Sequence, residues 1–277
     1  MNAVFDTANG LLAHYAEPLR PVLAEYNLMR LTDHWPVVAM STLICSLIFA
    51  TSALVSPWLF PQTFERLHRF QKINWHIHCV SMAHALLALT LCWPLVYFAE
   101  EPQDYINGYW PQVSNICAMA AGYFLWDIIV SVRYVRQFGI GFVLHGISSF
   151  LVYFCSFRPF LSAYGPVFLM FEASTPFLDL HWFMDKLQLT GSPLQLINGV
   201  LLLTTFFGSR IAFGLYSAYH FFIHVHRYGQ EVPTYLFLMY AAANVVLNVL
   251  NIFWFSKMVE AIRRRFVSKP VKAKKVH

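Results

Sequence analysis

The chain has 277 residues, of which 58% are hydrophobic, 17% are aromatic and 12% are charged, and its formal net charge is +5. Because soluble domains carry about 25% charged residues, this composition excludes an ordinary soluble protein and predicts a membrane protein. No strand-length run alternates apolar and polar residues, which excludes a transmembrane barrel and leaves helices as the spanning elements.

Apolar runs of membrane-spanning length follow one another along the chain, each near the 20 or so residues that a helix needs to cross a hydrocarbon core. They predict an all-α, multi-pass membrane protein with about seven transmembrane helices. The fifth run is the shortest and is predicted to end at Pro176. The predicted spans cover residues of about 35–56, 73–99, 113–132, 138–156, 160–176, 194–225 and 233–256.

The first residues lack the basic start and apolar core of a cleavable signal, and Pro18 and Pro21 interrupt them. We therefore expect the first span to act as an uncleaved anchor. The predicted organisation has four parts: a non-cytosolic N-terminal segment, an anchor helix, a membrane domain and a basic cytosolic tail. These cover residues 1–34, 35–59, 60–260 and 261–277.

The distribution of basic residues predicts which way the chain crosses the membrane. Fourteen of the 19 Lys and Arg residues fall on the side of the C-terminal tail, and four fall on the other side. Arg210 lies within the sixth predicted span. Since basic loops remain in the cytosol, we predict a cytosolic C-terminus and a non-cytosolic N-terminus.

The last four residues, Lys274 to His277, match the dilysine pattern that retrieves membrane proteins to the endoplasmic reticulum. Such a signal is an address read by a receptor and not an anchor. The predicted orientation places the tail in the cytosol, where the signal is read. We therefore predict an endoplasmic-reticulum membrane protein, although a basic tail also suits anionic lipid.

Several predicted spans carry a polar or ionisable side chain at matched depth in the cytosolic half of the membrane. At 1.5 Å per helical residue, Asp127 and His145 lie roughly 8 and 10 Å from that end of their spans. Charged groups inside a bilayer tend to mark functional sites, so the pattern predicts one shared polar cavity. Its other predicted members are His78, His84, Glu172 and Asn251, with Arg210 deeper.

Five motifs, in order, resemble the TLC-domain family, which is shared with ceramide synthases. They are NWHIHCVSMAHA from Asn74, YFLWDII from Tyr123, LHGISS from Leu144, FEASTPFLDLHW from Phe171 and FFGSRI from Phe206. The resemblance covers about residues 60–260 and implies helices around a central polar cavity in the endoplasmic reticulum. Ceramide synthases have two adjacent histidines where this chain has His145 and Gly146. The chain is therefore more similar to the small TLC-domain proteins of unsettled substrate.

Two functions fit these residues, and the sequence leaves open whether the protein is an enzyme. In the first, His145 is the base or nucleophile of an acyl transfer to a lipid amine or hydroxyl, with acyl-CoA as co-substrate and Asp127 orienting the imidazole. In the second, the same cavity binds lipid without catalysis. The predicted substrate-binding residues are His78, His84, Glu172, Ser174, Arg210 and Asn251.

A histidine-box metal oxidase is a third, weaker alternative, because His220 and His224 share one helix face and His226 follows. The predicted topology places these three at the opposite membrane face from His76, His78 and His84. We therefore expect no metal site and no bound cofactor. The expected partners are membrane lipids and not nucleic acid, and the oligomeric state stays open.

Overall fold

The computed structural model describes residues 2–98, 104, 106–158, 160–228 and 233–267. In these residues the secondary structure is helical and contains no strand. Five helices are long and apolar enough to cross a membrane, so the prediction of an all-α, multi-pass membrane protein is confirmed. They span Leu31–Leu59, Arg69–Tyr97, Pro111–Arg133, Pro193–Arg227 and Thr234–Arg264.

The N-terminal segment is helical and packs on the first span. Helix α1 (Asn2–Leu12), a 3₁₀ helix (Ala13–Leu19) and α2 (Arg20–Glu25) precede α3 (Leu31–Leu59). Helix α3 begins four residues before the predicted anchor, at a polar stretch that contains His34. This polar stretch can be helical because the His34 ring is hydrogen-bonded on both sides.

The His34 ring is 3% exposed and links α3 to the start of the third span. Its Nδ1 lies 2.8 Å from Asn115 Oδ1 and its Nε2 lies 2.9 Å from Tyr109 Oη. A buried polar group costs little when it is hydrogen-bonded in this way. The predicted anchor began later, at residue 35, because the stretch before it is polar.

The third span is the centre of the bundle. Helices α4 (Pro61–Arg66) and α5 (Arg69–Tyr97) lead to α6 (Pro111–Arg133), whose side chains from Ser114 to Phe124 are buried. A Cβ at Gly122 would lie 2.3 Å from Val38 O, so only glycine lets α3 approach this closely.

The fourth predicted span turns back against the third after a short connection. Helix α7 (Val135–Phe138) and Gly139, with φ of +87°, lead into α8 (Ile140–Cys155). The positive φ is accessible to glycine without strain. Helices α6 and α8 pack against each other, which brings the levels of Asp127 and His145 together.

The fifth predicted span is a broken path and does not end at Pro176. Helix α9 (Tyr164–Leu169) is followed by a 3₁₀ helix (Met170–Ser174) and then by α10 (Thr175–Lys186). Pro176 stands in the first turn of α10. Proline is tolerated there because a first-turn N–H has no partner inside the helix. The prediction used proline as a helix stop, and here it accompanies a helix start.

The sixth and seventh spans complete the bundle. Helix α11 (Pro193–Phe206), a π-helix (Phe207–Ala212) and α12 (Phe213–Tyr228) form one continuous rod. Helix α13 (Thr234–Val267) follows. The predicted dilysine end of the tail lies outside the described residues.

Candidate functional site

A small polar cavity lies between α6, α8, α13 and the irregular path around the 3₁₀ helix Met170–Ser174. Its volume is about 60 Å³, and four of the predicted site residues line it. These four are His145, Glu172, Arg210 and Asn251. The cavity is also lined by Phe124, Ser149, Val152, Tyr153, Phe168, Leu169, Phe171, Phe221, Tyr240, Asn244, Leu247 and Asn248.

Arg210 is 8% exposed and belongs to the π-helix Phe207–Ala212. Single π-helical turns inside α-helices are frequently found at functional sites. Within the described residues, the hydrogen bonds of the Arg210 guanidinium all go to neutral oxygens, and the group also lies 5.3 Å from the centroid of the Phe206 ring. Its Nε donates to Phe171 O at 3.0 Å and to Ser174 Oγ at 3.1 Å, and its Nη2 donates to Thr175 Oγ1 at 3.1 Å.

The fourth hydrogen bond of the guanidinium is longer. Arg210 Nη1 lies 3.5 Å from Asn251 Oδ1, and no described carboxylate forms a salt bridge with Arg210. An arginine has five N–H donors, and these contacts use Nε and one N–H on each terminal nitrogen. Two donors therefore stay available at the cavity wall.

Glu172 supplies the negative charge of the cavity. Its side chain is 7% exposed and lines the same space as Arg210. Within the described ranges, no side chain or backbone group donates a hydrogen bond to its carboxylate. The cavity thus contains an acceptor and a cationic donor that are close to each other but are not paired directly.

His145 lines the cavity, whereas its predicted partner Asp127 does not. The His145 ring lies edge-on to Phe124 and Trp254, with centroid distances of 5.9 and 5.5 Å. Its buried Nδ1 has no hydrogen-bond partner. No direct hydrogen bond joins His145 to Asp127 among the described residues, so the predicted contact, direct or through one water, stays a prediction.

Asp127 faces the residue after His145. A Cβ at Gly146 would lie 3.0 Å from Asp127 Oδ2, and the Ser131 hydroxyl lies within reach of the carboxylate one turn later. The depth comparison predicted the level of Asp127 correctly. It did not predict which side of α8 the carboxylate meets, because the rotation of two packed helices depends on all their contacts.

Ser174 and His84 lie next to the residues that line the cavity but do not line it themselves. Ser174 Oγ accepts a hydrogen bond from Arg210 but does not line the cavity. The His84 ring stacks on Tyr123 at a centroid distance of 3.7 Å and an interplanar angle of 6°. Its Nε2 is buried without a partner. His84 therefore packs beside the cavity and does not open into it.

His78 belongs to a different contact, between α5 and α10. Its Nδ1 donates to Asp179 Oδ1 at 2.7 Å, and Asp179 is 1% exposed. The ring also stacks on Trp182 at a centroid distance of 4.4 Å. The structure therefore contains a hydrogen-bonded histidine–aspartate pair, but it joins residues 101 apart in sequence that the depth comparison did not pair.

Sequence reasoning missed two asparagines of the cavity wall. Asn244 and Asn248 line it together with Asn251, and Asn248 Nδ2 donates to Asn244 Oδ1 at 2.8 Å. Positions four and seven residues apart share one helix face, so amides at this spacing in an apolar run were a usable signal. Asp179 was also missed, although it follows Pro176 by three residues in a quoted motif.

The histidine cluster of the metal alternative lies elsewhere. His224 Nδ1 is 2.7 Å from Tyr164 Oη, and His220 packs on Tyr216 at a centroid distance of 4.4 Å. His226 is exposed. Along α12 these rings lie beyond Arg210, and only Phe221, which stands between His220 and His224, lines the cavity from this part of the helix.

The TLC domain matches residues 74–260. An uncharacterized TLC domain-containing protein of Schizosaccharomyces pombe is 39% identical over 268 residues, which cover 95% of this chain and 92% of that protein. TLC domain-containing protein 4 of Homo sapiens is 30% identical over 217 residues, covering 75% and 79% of the two chains.

A third relative, topoisomerase I damage affected protein 4 of Saccharomyces cerevisiae, is 31% identical over 248 residues. The match covers 84% of this chain and 87% of the relative. The domain match and the relatives therefore cover most of the membrane region, and both identify the TLC-domain family. The resemblance seen in the motifs is confirmed. The chain belongs to the TLC-domain family, whose members are multi-pass membrane proteins linked to lipid biology.

Proposed function

We propose that the protein binds a membrane lipid in the polar cavity, with the lipid headgroup held between Arg210 and Glu172. The observation that supports the proposal is the buried Arg210 guanidinium, which lines the cavity and whose hydrogen bonds, within the described residues, all go to neutral oxygens. A buried charge is costly unless it is paired. A bound headgroup supplies the missing partner.

The Arg210 and Glu172 side chains determine which functional groups the headgroup must carry. Arg210 requires an oxygen acceptor, and Glu172 requires an N–H or O–H donor, because a carboxylate only accepts hydrogen bonds. A lipid amide, amine or hydroxyl next to a carbonyl or phosphate oxygen carries both. At about 60 Å³ the cavity holds only the polar end of such a lipid, and the acyl chains must extend between the helices.

Acyl transfer to a lipid amine or hydroxyl is the second candidate, and the position of His145 in the same cavity favours it. In this reaction His145 accepts the proton of the amine or hydroxyl while that group attacks the thioester carbonyl of an acyl-CoA. The new amide or ester bond forms, the C–S bond breaks, and the thiolate takes the proton. Asp127 acts on His145 only indirectly, since they share no hydrogen bond.

The two candidates are separated by lipid analysis of cells that lack the protein and are rescued by variants. Binding predicts that Arg210→Leu fails to restore the lipid profile while His145→Ala restores it. Acyl transfer predicts that both variants fail. Arg227→Leu is the matched control, because Arg227 is exposed near the end of α12.

A direct binding measurement guards against misfolded variants. Lipids that co-purify with wild type, Arg210→Lys and Arg210→Leu are identified by mass spectrometry after each variant has given a single symmetric peak in detergent. We expect Arg210→Lys to keep part of the lipid, since it keeps the charge but loses the fork of donors. Equal lipid content in all three proteins would rule out the headgroup role of Arg210.

We also propose residence in the endoplasmic reticulum with a cytosolic C-terminus, on the basis of the basic-residue distribution and the dilysine end. Replacing Lys274 and Lys275 by Ser is expected to release the protein to later compartments. Protease treatment of sealed microsomes should remove a C-terminal tag and spare an N-terminal one. A protected C-terminal tag reverses the proposed orientation.

A further inference from the structure

The N-terminal segment, from α1 to the end of α2, carries large apolar side chains that point away from the rest of the described protein. Helix α1, the 3₁₀ helix Ala13–Leu19 and α2 follow one another with helical backbone at the junction residues Leu12 and Leu19. On the inner side of the segment Phe5 and Ala16 are buried. On its outer side five large side chains are between 54% and 68% exposed, and they are Leu11, Tyr15, Leu19, Val22 and Tyr26.

These five residues form one apolar stripe, which ends at Tyr26 because Asn27 leaves the helical path with a φ of +56°. Their positions are separated by four, four, three and four residues, which is the spacing of an apolar helix face. Two helical residues correspond to a turn of about 200°, so the exposed Ala24 lies on the other side of α2 from Val22. Single exposed apolar residues are ordinary, but a contiguous apolar patch marks contact with another surface.

Polar contacts place the inner side of the segment at the level where α3 and α6 begin. Asn115 Nδ2 donates to Asp6 Oδ1 at 3.0 Å, and Asn9 Nδ2 donates to Asn115 Oδ1 at 2.8 Å. Asn115 lies about 6 Å from the start of α6. Helix α3, with 29 residues, is about 44 Å long, whereas the hydrocarbon core is about 30 Å thick. Since the polar residues Asp33 and His34 are in its first turn, this end of α3 and the segment packed on it lie in the headgroup region.

The charged side chains of the segment pair with one another and do not favour anionic lipid. Arg20 Nη2 donates to Glu17 Oε1 at 2.8 Å and to Asp33 Oδ1 at 3.0 Å. Arg30 Nη1 lies 3.5 Å from Asp33 Oδ2. Residues 2–33 contain four acidic and two basic side chains, whereas segments that bind anionic lipid by charge are rich in Lys and Arg. Contact between this segment and a membrane therefore depends on the apolar stripe.

We propose that the N-terminal segment is an interfacial element, whose apolar stripe inserts into the boundary between headgroups and acyl chains in the leaflet where α3 and α6 begin. The bilayer is the partner because only residues 27–30 separate the stripe from α3, which is a membrane span. Tyr15 and Tyr26 suit this level, since tyrosine is enriched at membrane–water interfaces. Amphipathic helices bury their apolar face about 5–10 Å into this boundary. This contact is independent of the polar cavity and of its proposed function.

The test measures thiol modification of the full-length protein in phosphatidylcholine nanodiscs that each hold one copy. Val22→Cys places a thiol on the apolar stripe, and Ala24→Cys places one on the other side of the same helix, so the two variants are a matched pair. A water-soluble, charged maleimide is added, and the wild type gives the background from the native cysteines. We expect Val22→Cys to react about tenfold more slowly than Ala24→Cys, because the reagent stays in water and apolar surroundings disfavour the reactive thiolate.

Two second-site changes in the Val22→Cys protein make the result specific. Leu19→Glu places a charge on the apolar stripe and should raise the reaction rate towards that of Ala24→Cys, because a carboxylate at this depth is costly. Ala24→Glu is the matched control on the side that faces water, and it should leave the rate low. Adding phosphatidylserine to the discs should change neither rate, since the segment has no excess of basic residues.

Two outcomes would overturn the proposal. Equal reaction rates for Val22→Cys and Ala24→Cys in single-copy discs, whether fast or slow, would show that the apolar stripe has no lipid contact of its own. Protection of Val22→Cys that appears only in discs with two copies would show that the stripe is an interface between copies of this chain. Each variant is measured after it has given a single symmetric peak in detergent, so that a misfolded protein is not mistaken for either outcome.

Discussion

At two helix contacts in this bundle, one helix carries a histidine and the other an aspartate. The two contacts differ in whether the histidine and the aspartate touch each other. At the α5–α10 contact, His78 Nδ1 donates to Asp179 Oδ1 at 2.7 Å. At the α6–α8 contact, Asp127 faces the backbone of Gly146, and His145 turns to the cavity. A histidine and an aspartate at the same level on two packed helices therefore do not necessarily form a hydrogen bond.

The difference also separates two kinds of role. The pair at the α5–α10 contact is hydrogen-bonded through Asp179 Oδ1, which joins α10 to α5 and fixes the His78 tautomer, whereas Asp179 Oδ2 is buried without a partner among the described residues. His145, by contrast, has a buried Nδ1 without a partner. A free imidazole nitrogen beside a cavity is available to a ligand, whereas a bonded one is committed to the fold.

The largest expected effect is at the α5–α10 contact. His78→Phe and Asp179→Leu should each destabilise the protein by about 1–3 kcal/mol, because each leaves a buried polar partner unsatisfied. The double variant should be close to wild type, since both polar groups are gone. Unfolding by denaturing detergent, followed by tryptophan fluorescence, measures the cycle. Additive losses in the double variant would mean that the two side chains do not interact energetically.

An intermediate effect is expected from a methyl group at Gly146. Gly146→Ala places a Cβ 3.0 Å from Asp127 Oδ2 and 3.1 Å from Ile128 Cγ1, so we expect a loss of about 1 kcal/mol from crowding. In an Asp127→Ala background one of the two close contacts is gone and only Ile128 Cγ1 remains, so the same change should cost less, because alanine also favours helix over glycine by about 1 kcal/mol. The same unfolding assay reports the sign.

A matched position on the same helix controls for helix propensity. Gly141→Ala meets only Leu250 Cδ2 at 3.4 Å, an ordinary contact, and should not destabilise in either background. If Gly146→Ala behaved like Gly141→Ala in both backgrounds, Asp127 would not pack on Gly146 as described.

The smallest effect is expected for the pair that the sequence singled out. The coupling energy between Asp127→Asn and His145→Gln should be within about 0.5 kcal/mol of zero, the limit for residues that share no contact. The unfolding assay used for His78 and Asp179 gives the comparison directly. A coupling above about 1 kcal/mol would point to a bridging water and restore the predicted pair.

The amino-acid sequence determined the fold class, because an apolar run of this length can only be a membrane span. It also predicted a common level for Asp127, His145, Glu172 and Asn251, since rise per residue converts sequence position into depth, and the last three line one cavity. The motif order identified the family before any contact was known. These properties depend on local composition and helix geometry alone.

Only the tertiary structure decided which of those side chains meet. Depth gives one coordinate along the helix axis, whereas contact also depends on the rotation of each helix about its axis, and that rotation is set by close approaches such as Gly122 against Val38 and Gly146 against Asp127. The π-helical turn that aims Arg210 at the cavity and the hydrogen bond between His78 and Asp179 arise in the same way. They are products of packing across the whole bundle, which no single segment specifies.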